Sequence, residues 1–283
     1  VIGVMKPKIL SYGEIIFDLI EGRPFLGGAP LNFAWFVNQL GGQATLFSAV
    51  GNDAMGSEAI SRIEDYGIDN HINFSNQPTG TAIVNSDGRF DISYPAAWSE
   101  VAAPKSVDGL YDLLYFGTLA QTSPFNSSQI VDLVKNTVTN VFIDVNLRYP
   151  FYSKELISNS LEMANIAKVN LEEWREIKLL FSIEDPFVFM DRFNLTHFAI
   201  TMGPEGASFF CDGQEFRYKP KKIIEVDPTG AGDAFSAGFV LGILSGIPEM
   251  EALKVACEAG AFVAGNEGAH MKLPKAIRTQ LCF

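Results

Sequence analysis

Cysteine and histidine are scarce, at three residues each in 283. Cys211, Cys257 and Cys282 form no Cys-x-x-Cys pair, which argues against a zinc ribbon or a dithiol redox centre. His71, His197 and His270 have no neighbour at metal-ligand spacing. A sparse, odd cysteine count suits a reducing compartment. Basic residues are also short: 21 Lys and Arg face 33 Asp and Glu, a net charge of -12. Such a field repels phosphate backbones, and the one basic cluster, Lys219, Lys221 and Lys222, is too small for a nucleic-acid footprint. Long apolar runs are missing too. The longest, Ala234 to Leu244, is broken by Ser236, Gly238 and Gly242 and falls below the ~20 residues of a membrane span. The first residues show no basic segment followed by an apolar signal core. No nucleic-acid or membrane partner is expected, and a cytoplasmic protein is. The tripeptide Gly-Lys-Ser/Thr occurs nowhere, which rules out a P-loop.

What is present reads as a folded α/β chain. Apolar residues make up 47% and charged residues 19%, the balance of a globular protein. The length suits one large domain, 1–283, with an extensive core. Short β-type runs at Ile9 to Tyr12, Thr45 to Val50, Asp112 to Phe116, Val141 to Val145, Ala167 to Val169 and Phe198 to Thr201 alternate with helical stretches. The latter include Pro30 to Leu40, Met55 to Tyr66, Ser127 to Lys135, Lys154 to Met163, Glu172 to Leu180 and Pro186 to Phe193. That alternation predicts a largely parallel sheet covered on both faces, a three-layer α/β/α fold. The rhythm breaks twice, at about 14–26 and 80–97. There, Glu14 to Ile20 and the runs Thr81 to Asn85 and Arg89 to Tyr94 around Asp87-Gly88 predict a small separate β sheet, a lid. Ala207 to Cys211 and Glu215 to Tyr218 predict a hairpin. Ile223 to Val226 predicts a last strand, and Ala231 to Leu244 and Glu249 to Ala264 the last long helices.

Two glycine-rich turns carry the chemistry. In the late one, Asp227-Pro-Thr229-Gly230-Ala231-Gly232-Asp233, bulk is removed where a helix begins. Free N–H groups and the positive end of the helix dipole then face an incoming anion, with the Asp233 carboxylate beside them as a proton acceptor. Alone, this turn reads equally well as a tight strand–helix connection with a capping aspartate. A dinucleotide fingerprint would need a third glycine where Phe235 stands, which disfavours an oxidoreductase. In the early turn, Gly27-Gly28-Ala29-Pro30-Leu31-Asn32, the glycines permit close ligand approach and Asn32 falls in the first helical turn.

Together, the two motifs resemble the paired signatures of the ribokinase-like sugar kinases, over essentially the whole chain. Asp18-Leu19, Pro78-Thr79-Gly80-Thr81 and Asp144-Val145-Asn146-Leu147-Arg148 look most like the bacterial fructokinases of that family. The resemblance implies ATP-dependent phosphorylation of a free sugar, D-fructose to fructose 6-phosphate, with a 2-keto-3-deoxygluconate kinase or a ribokinase as alternatives. A non-catalytic sugar-binding regulator is a further alternative, against which the intact Asp233 speaks. By resemblance, Asp233 is the base, and Gly230, Ala231 and Gly232 form the hole that stabilises the transferred phosphoryl group. Asp18, Gly27, Gly28 and Asn32 grip the sugar.

Asp144, Asn146 and Arg148 alternate and so share one face if extended. Arg148, the sole cation in these motifs, suits an oxyanion or the sugar; a strand-end salt bridge to Asp144 is its structural alternative. Asn170 and Glu173 match a motif linked to Mg2+ and phosphate, Glu173 through water, and equally make a helix capping box. Thr201, Gly203 and Gly206 match a nucleotide-contacting loop. Gly268 belongs to the region that frames adenine. Asp227 and Thr229 are implied in a monovalent cation site, with K+ as the ion. The open edges of a two-piece sheet predict a homodimer through the lid.

Overall fold

In the computed structural model, residues 6–84, 90–104, 107, 111–137 and 140–281 are described. The strands are β1 (Lys8–Tyr12), β2 (Ile16–Ile20), β3 (Arg23–Gly27), β4 (Gln43–Gly51), β5 (Asp69–Ser75), β6 (Gly80–Val84), β7 (Phe90–Ile92), β8 (Leu113–Phe116), β9 (Asn140–Asp144), β10 (Ile166–Asn170), β11 (His197–Thr201), β12 (Ala207–Cys211) and β13 (Gln214–Tyr218). The helices are α1 (Ala29–Gln39), α2 (Ala54–Asp65), α3 (Pro124–Thr137), α4 (Lys154–Met163), α5 (Leu171–Phe181), α6 (Pro186–Phe193), α7 (Ala231–Ser245), α8 (Glu249–Ala264) and α9 (Lys275–Arg278).

Nine strands form the central sheet in the order β13-β12-β11-β10-β9-β8-β1-β4-β5. All its pairs from β5 to β11 are parallel; only β11–β12 and β12–β13 are antiparallel. Successive residues of a buried strand feed opposite faces. Ile9, Leu46 and Phe142 pack with α1, α7 and α8, whereas Leu10, Phe47 and Ile143 pack with α3 to α6. This is the three-layer arrangement that the βα rhythm predicts.

The two β-rich pieces stand outside the central sheet. They pair in a four-stranded sheet, order β3-β2-β6-β7, in which β2–β6 is parallel and the flanking pairs are antiparallel. The Ser86-Asp87-Gly88 turn between β6 and β7 lies outside the described residues. Asp53 ties this sheet to the body. It caps α2 through the Gly56 N–H (2.7 Å), and it accepts from the Thr79 N–H (2.8 Å) and hydroxyl (2.7 Å) just before β6. Those donors hold its carboxyl below the ordinary range, against the opposing effect of burial.

One expectation fails here and one element was missed. Ile223 to Val226 is not a strand. Its main chain is pinned instead to the end of α8, where the Val226 and Asp227 N–H groups donate to the Ala264 carbonyl, and Ile224 stays 87% exposed. Conversely, β5 carries too many polar residues to announce itself, because it is an edge strand with one face open to solvent.

Candidate active site

The sheet order reverses between β1 and β8, and in open α/β sheets the crevice beyond the carboxyl ends at such a point takes ligands. Here a cavity of about 770 Å³ opens beyond the carboxyl ends of β1, β9, β10 and β11. Ile16, Asp18, Ala82 and Ile92 of the small sheet form one wall, and the start of α7 forms the opposite one.

Two helix N-termini converge on it. Gly28 precedes α1 with φ +110 and lies so close to the Glu14 carbonyl oxygen that a side chain would overlap it. Pro30 fits the first turn of α1 because its missing N–H has no partner to lose. Gly230 caps α7 in the left-handed region, with φ 80; a Cβ there would stand 3.0 Å from that of Ala269. The helices are joined by one bond across 201 positions, from Asn32 Nδ2 to Asp233 Oδ2 at 2.8 Å. Burial and the neighbouring Asp144 carboxylate push Asp233 up to about 6, while Asn32, Lys168 and Arg148 pull it back.

Lys168 is the residue that sequence reasoning missed. It sits mid-strand between Ala167 and Val169, is 6% exposed, and places Nζ 3.1 Å from both Asp144 carboxylate oxygens. Ser236 of α7 donates to the same carboxylate at 2.9 Å. A Cβ on Gly232 would lie 3.2 Å from Lys168 Nζ, so this cation borders the glycine turn. Arg148 is therefore not the sole cation at the site, and Lys168 pairs with Asp144. The extended face expected for Asp144, Asn146 and Arg148 also fails: Asn146 adopts φ 43 and breaks the alternation. Arg148 still lines the cavity, and its charge acts on Asp18, Glu14 and Asp233. The available signal for Lys168 was a lysine inside an apolar strand, which can be buried only if paired.

Other candidate residues divide by position. Asp18, Gly28, Asn32, Arg148, Asn170, Glu173, Thr201, Gly203, Thr229, Gly230, Ala231, Gly232 and Asp233 line the one cavity. Burial raises Asp18 to about 6, with Arg148 opposing and Asp227 assisting. Gly27 lies just behind it, where a Cβ would stand 3.3 Å from Asp18 Oδ2. Asn170 and Glu173 make the full capping box of α5, and Glu173 Oε1 also accepts from the Leu147 N–H at 2.9 Å. Gly206 lines a second cavity of about 290 Å³, bounded by Pro220, Ile223, Phe235 and Ala261 and contiguous with the first through Thr201 and Gly203. Asp227 and Gly268 line neither. Asp227 instead accepts from the Thr229 and Gly268 N–H groups at 2.9 and 3.0 Å.

The glycine turn and the Asp233 carboxylate in its first helical turn face one polar pocket at the carboxyl ends of the parallel strands, an arrangement suited to phosphoryl transfer onto a hydroxyl. The profile of the pfkB family carbohydrate kinases matches residues 6–276, and the chain belongs to that family. It is 27% identical to a fructokinase of Klebsiella pneumoniae, with 95% of this chain and 97% of that one aligned. A fructokinase of Vibrio cholerae, solved with fructose, ADP and calcium ion bound, superposes with a TM-score of 0.84 at 23% identity over 98% of this chain and 99% of that one. The aminoimidazole riboside kinase of Salmonella enterica, solved with aminoimidazole riboside and an ATP analogue, gives 0.81 at 24% identity over 97% and 99%.

Proposed function

We propose that this carbohydrate kinase, one catalytic domain with the small sheet as its lid, transfers the γ-phosphoryl group of ATP to the hydroxymethyl oxygen of D-fructose. The observation that carries this is the Asn32–Asp233 bond, which unites the sugar-side turn and the phosphate-side turn in one cavity. Asp233 accepts the hydroxyl proton as the oxygen bonds to phosphorus and the bond to ADP breaks. The N–H groups of Gly230, Ala231 and Gly232 meet the charge spread over the phosphoryl oxygens, so positioning and electrostatics supply most of the rate. Asp18, Asn32 and the Gly27-Gly28 backbone hold the sugar, with Arg148 at its other side. Asn170, Thr201, Gly203, Gly206 and Gly268 frame the nucleotide, whose base suits the smaller apolar cavity.

Among the described residues, no three His, Cys, Asp or Glu stand close enough to hold a metal alone. Both Glu173 oxygens already accept main-chain N–H groups. These residues fit a Mg2+ that arrives on the nucleotide, with Glu173 touching its water shell; bound there, it offsets phosphate charge. Asp227 and Thr229 suit a K+ through their backbone. Buried free Cys211 and Cys257 support a reducing, cytoplasmic setting. A coupled ADP-release assay over free sugars, sugar acids and nucleosides tests the whole reading. Turnover is expected to be greatest with fructose and lost in excess chelator; preference for a sugar acid or a nucleoside would overturn the fructose assignment.

Asp18→Ala removes the charged partner of sugar hydroxyl bonds worth about 1.5–3 kcal/mol. KM for sugar is expected to rise by ~10-fold or more with KM for ATP little changed; equal effects on both would remove Asp18 from the sugar site. We also propose a homodimer through the lid. Phe25, 44% exposed, lies directly across from Asp18, and Ile20, 40% exposed, shares the Asp18 face of β2, so apolar surface surrounds the sugar side. Sedimentation at micromolar concentration is expected to give twice the chain mass of 31.0 kDa; the mass of one chain would refute the contact.

A further inference from the structure

The kinase reading leaves a buried carboxyl of the cavity unused. Glu14 follows the carboxyl end of β1, is 2% exposed and lines the cavity beside Gly28 and Asn32. Its Oε2 is buried and has no hydrogen-bond partner. An unsatisfied carboxyl oxygen is costly inside a protein and calls for a ligand atom. Glu14 and Asp233 line the same cavity, and the Asp233 charge acts on Glu14. Neighbouring carboxylates disfavour each other's ionisation.

We propose that Glu14 is a specificity-determining residue for the acceptor: in its neutral acid form, Oε2 gives a hydrogen bond to a neutral oxygen of the bound sugar, next to the hydroxyl that faces Asp233. This inference rests on the sugar kinase reading. A neutral donor there accepts a hydroxyl or ring oxygen, whereas the adjacent carboxylates repel the carboxylate of a sugar acid. The protonation state has its own support. Burial pushes Glu14 up to about 7, and Asp233 from α7 pushes the same way. Its own N–H, the Ala29 N–H at the start of α1 and the Arg148 guanidinium after β9 oppose this. The buried Tyr115 phenol of β8 is the remaining titratable group that feels the Glu14 charge.

The test compares wild type, Glu14→Gln and Glu14→Ala by KM for whichever sugar supports turnover and KM for ATP, between pH 7 and pH 9. Glutamine keeps a donor at the same place without a proton to lose. In Glu14→Ala, KM for sugar is expected to rise about 3- to 10-fold, as for one lost hydrogen bond, with KM for ATP unchanged. Glu14→Gln is expected to restore the pH 7 value and to stay flat to pH 9. The wild-type KM for sugar is expected to climb over that interval as Glu14 ionises. A Gln variant as weak as the Ala variant, an unchanged KM in Glu14→Ala, or a flat wild-type profile would each overturn this inference and leave the kinase reading standing. Absence of turnover with every sugar would overturn both.

Discussion

Asp233→Asn is expected to lower kcat by at least ~100-fold, the usual loss for a removed general base, while KM for sugar and the unfolding midpoint stay near wild type. Asparagine keeps the shape of the side chain and can still meet Asn32 Nδ2 with its carbonyl oxygen. What it loses is the ability to take the hydroxyl proton. Wild-type kcat/KM is expected to carry the matching signature. Asp233 and Asp18 are both raised to about 6 by burial, and the proposed roles of both need the carboxylate, so activity is expected to fall as pH drops through that range, with a limb of two protons. In Asp233→Asn the residual activity should retain only the Asp18 proton. A variant that turns over near the wild-type rate would take Asp233 out of the mechanism.

The second large effect concerns stability. Lys168→Met should cost about 3–5 kcal/mol, because it strands the Asp144 carboxylate in the interior without its cation. The side chains of the pair are only 7% and 3% exposed, so little water can take over. At this chain length the loss corresponds to a fall in Tm of roughly 10 °C, read by calorimetry or circular dichroism. Lys168→Met combined with Asp144→Asn should recover most of it, since an amide still accepts from Ser236 and carries no charge. The single substitution also removes a charge that holds Asp233 ionised, so the acid limb should move to higher pH. A single variant that melts with the wild type would show that the buried pair does not hold the fold together.

Local signals disclosed much of the architecture. Buried strands such as Leu113–Phe116 are continuous apolar runs, and Pro30 and the Gly41-Gly42 pair punctuate α1 from both ends. The two glycine turns were legible because only glycine tolerates the backbone at Gly28 and Gly230. What escaped depends on long-range partners. Lys168 acquires its meaning from Asp144, 24 positions away, and from a helix that begins at Ala231. Ile223 to Val226 has the composition of a strand, yet the Val226 N–H goes to the end of α8, a competition that no local pattern records. Asn146 turns left-handed, which an alternation of polar residues does not forecast. Glu14 looks like an ordinary residue at a strand end until burial is known.

The two walls of the cavity rest on unequal foundations. α7 is apolar nearly all round, with Phe235, Ala237, Phe239, Val240 and Leu241 in the main core, so freeing its first turn means disrupting most of the domain. The small sheet reaches the main core through Phe17 and Leu26 and otherwise leans on a modest cluster, Ile16, Ala82, Ile92, Ala96, Trp98 and Leu119. Segments with few buried apolar contacts open at far lower free energy than the core. We propose that sugar enters and leaves past the small sheet, the side that yields at lower cost, while α7 keeps Asp233 against the glycine turn.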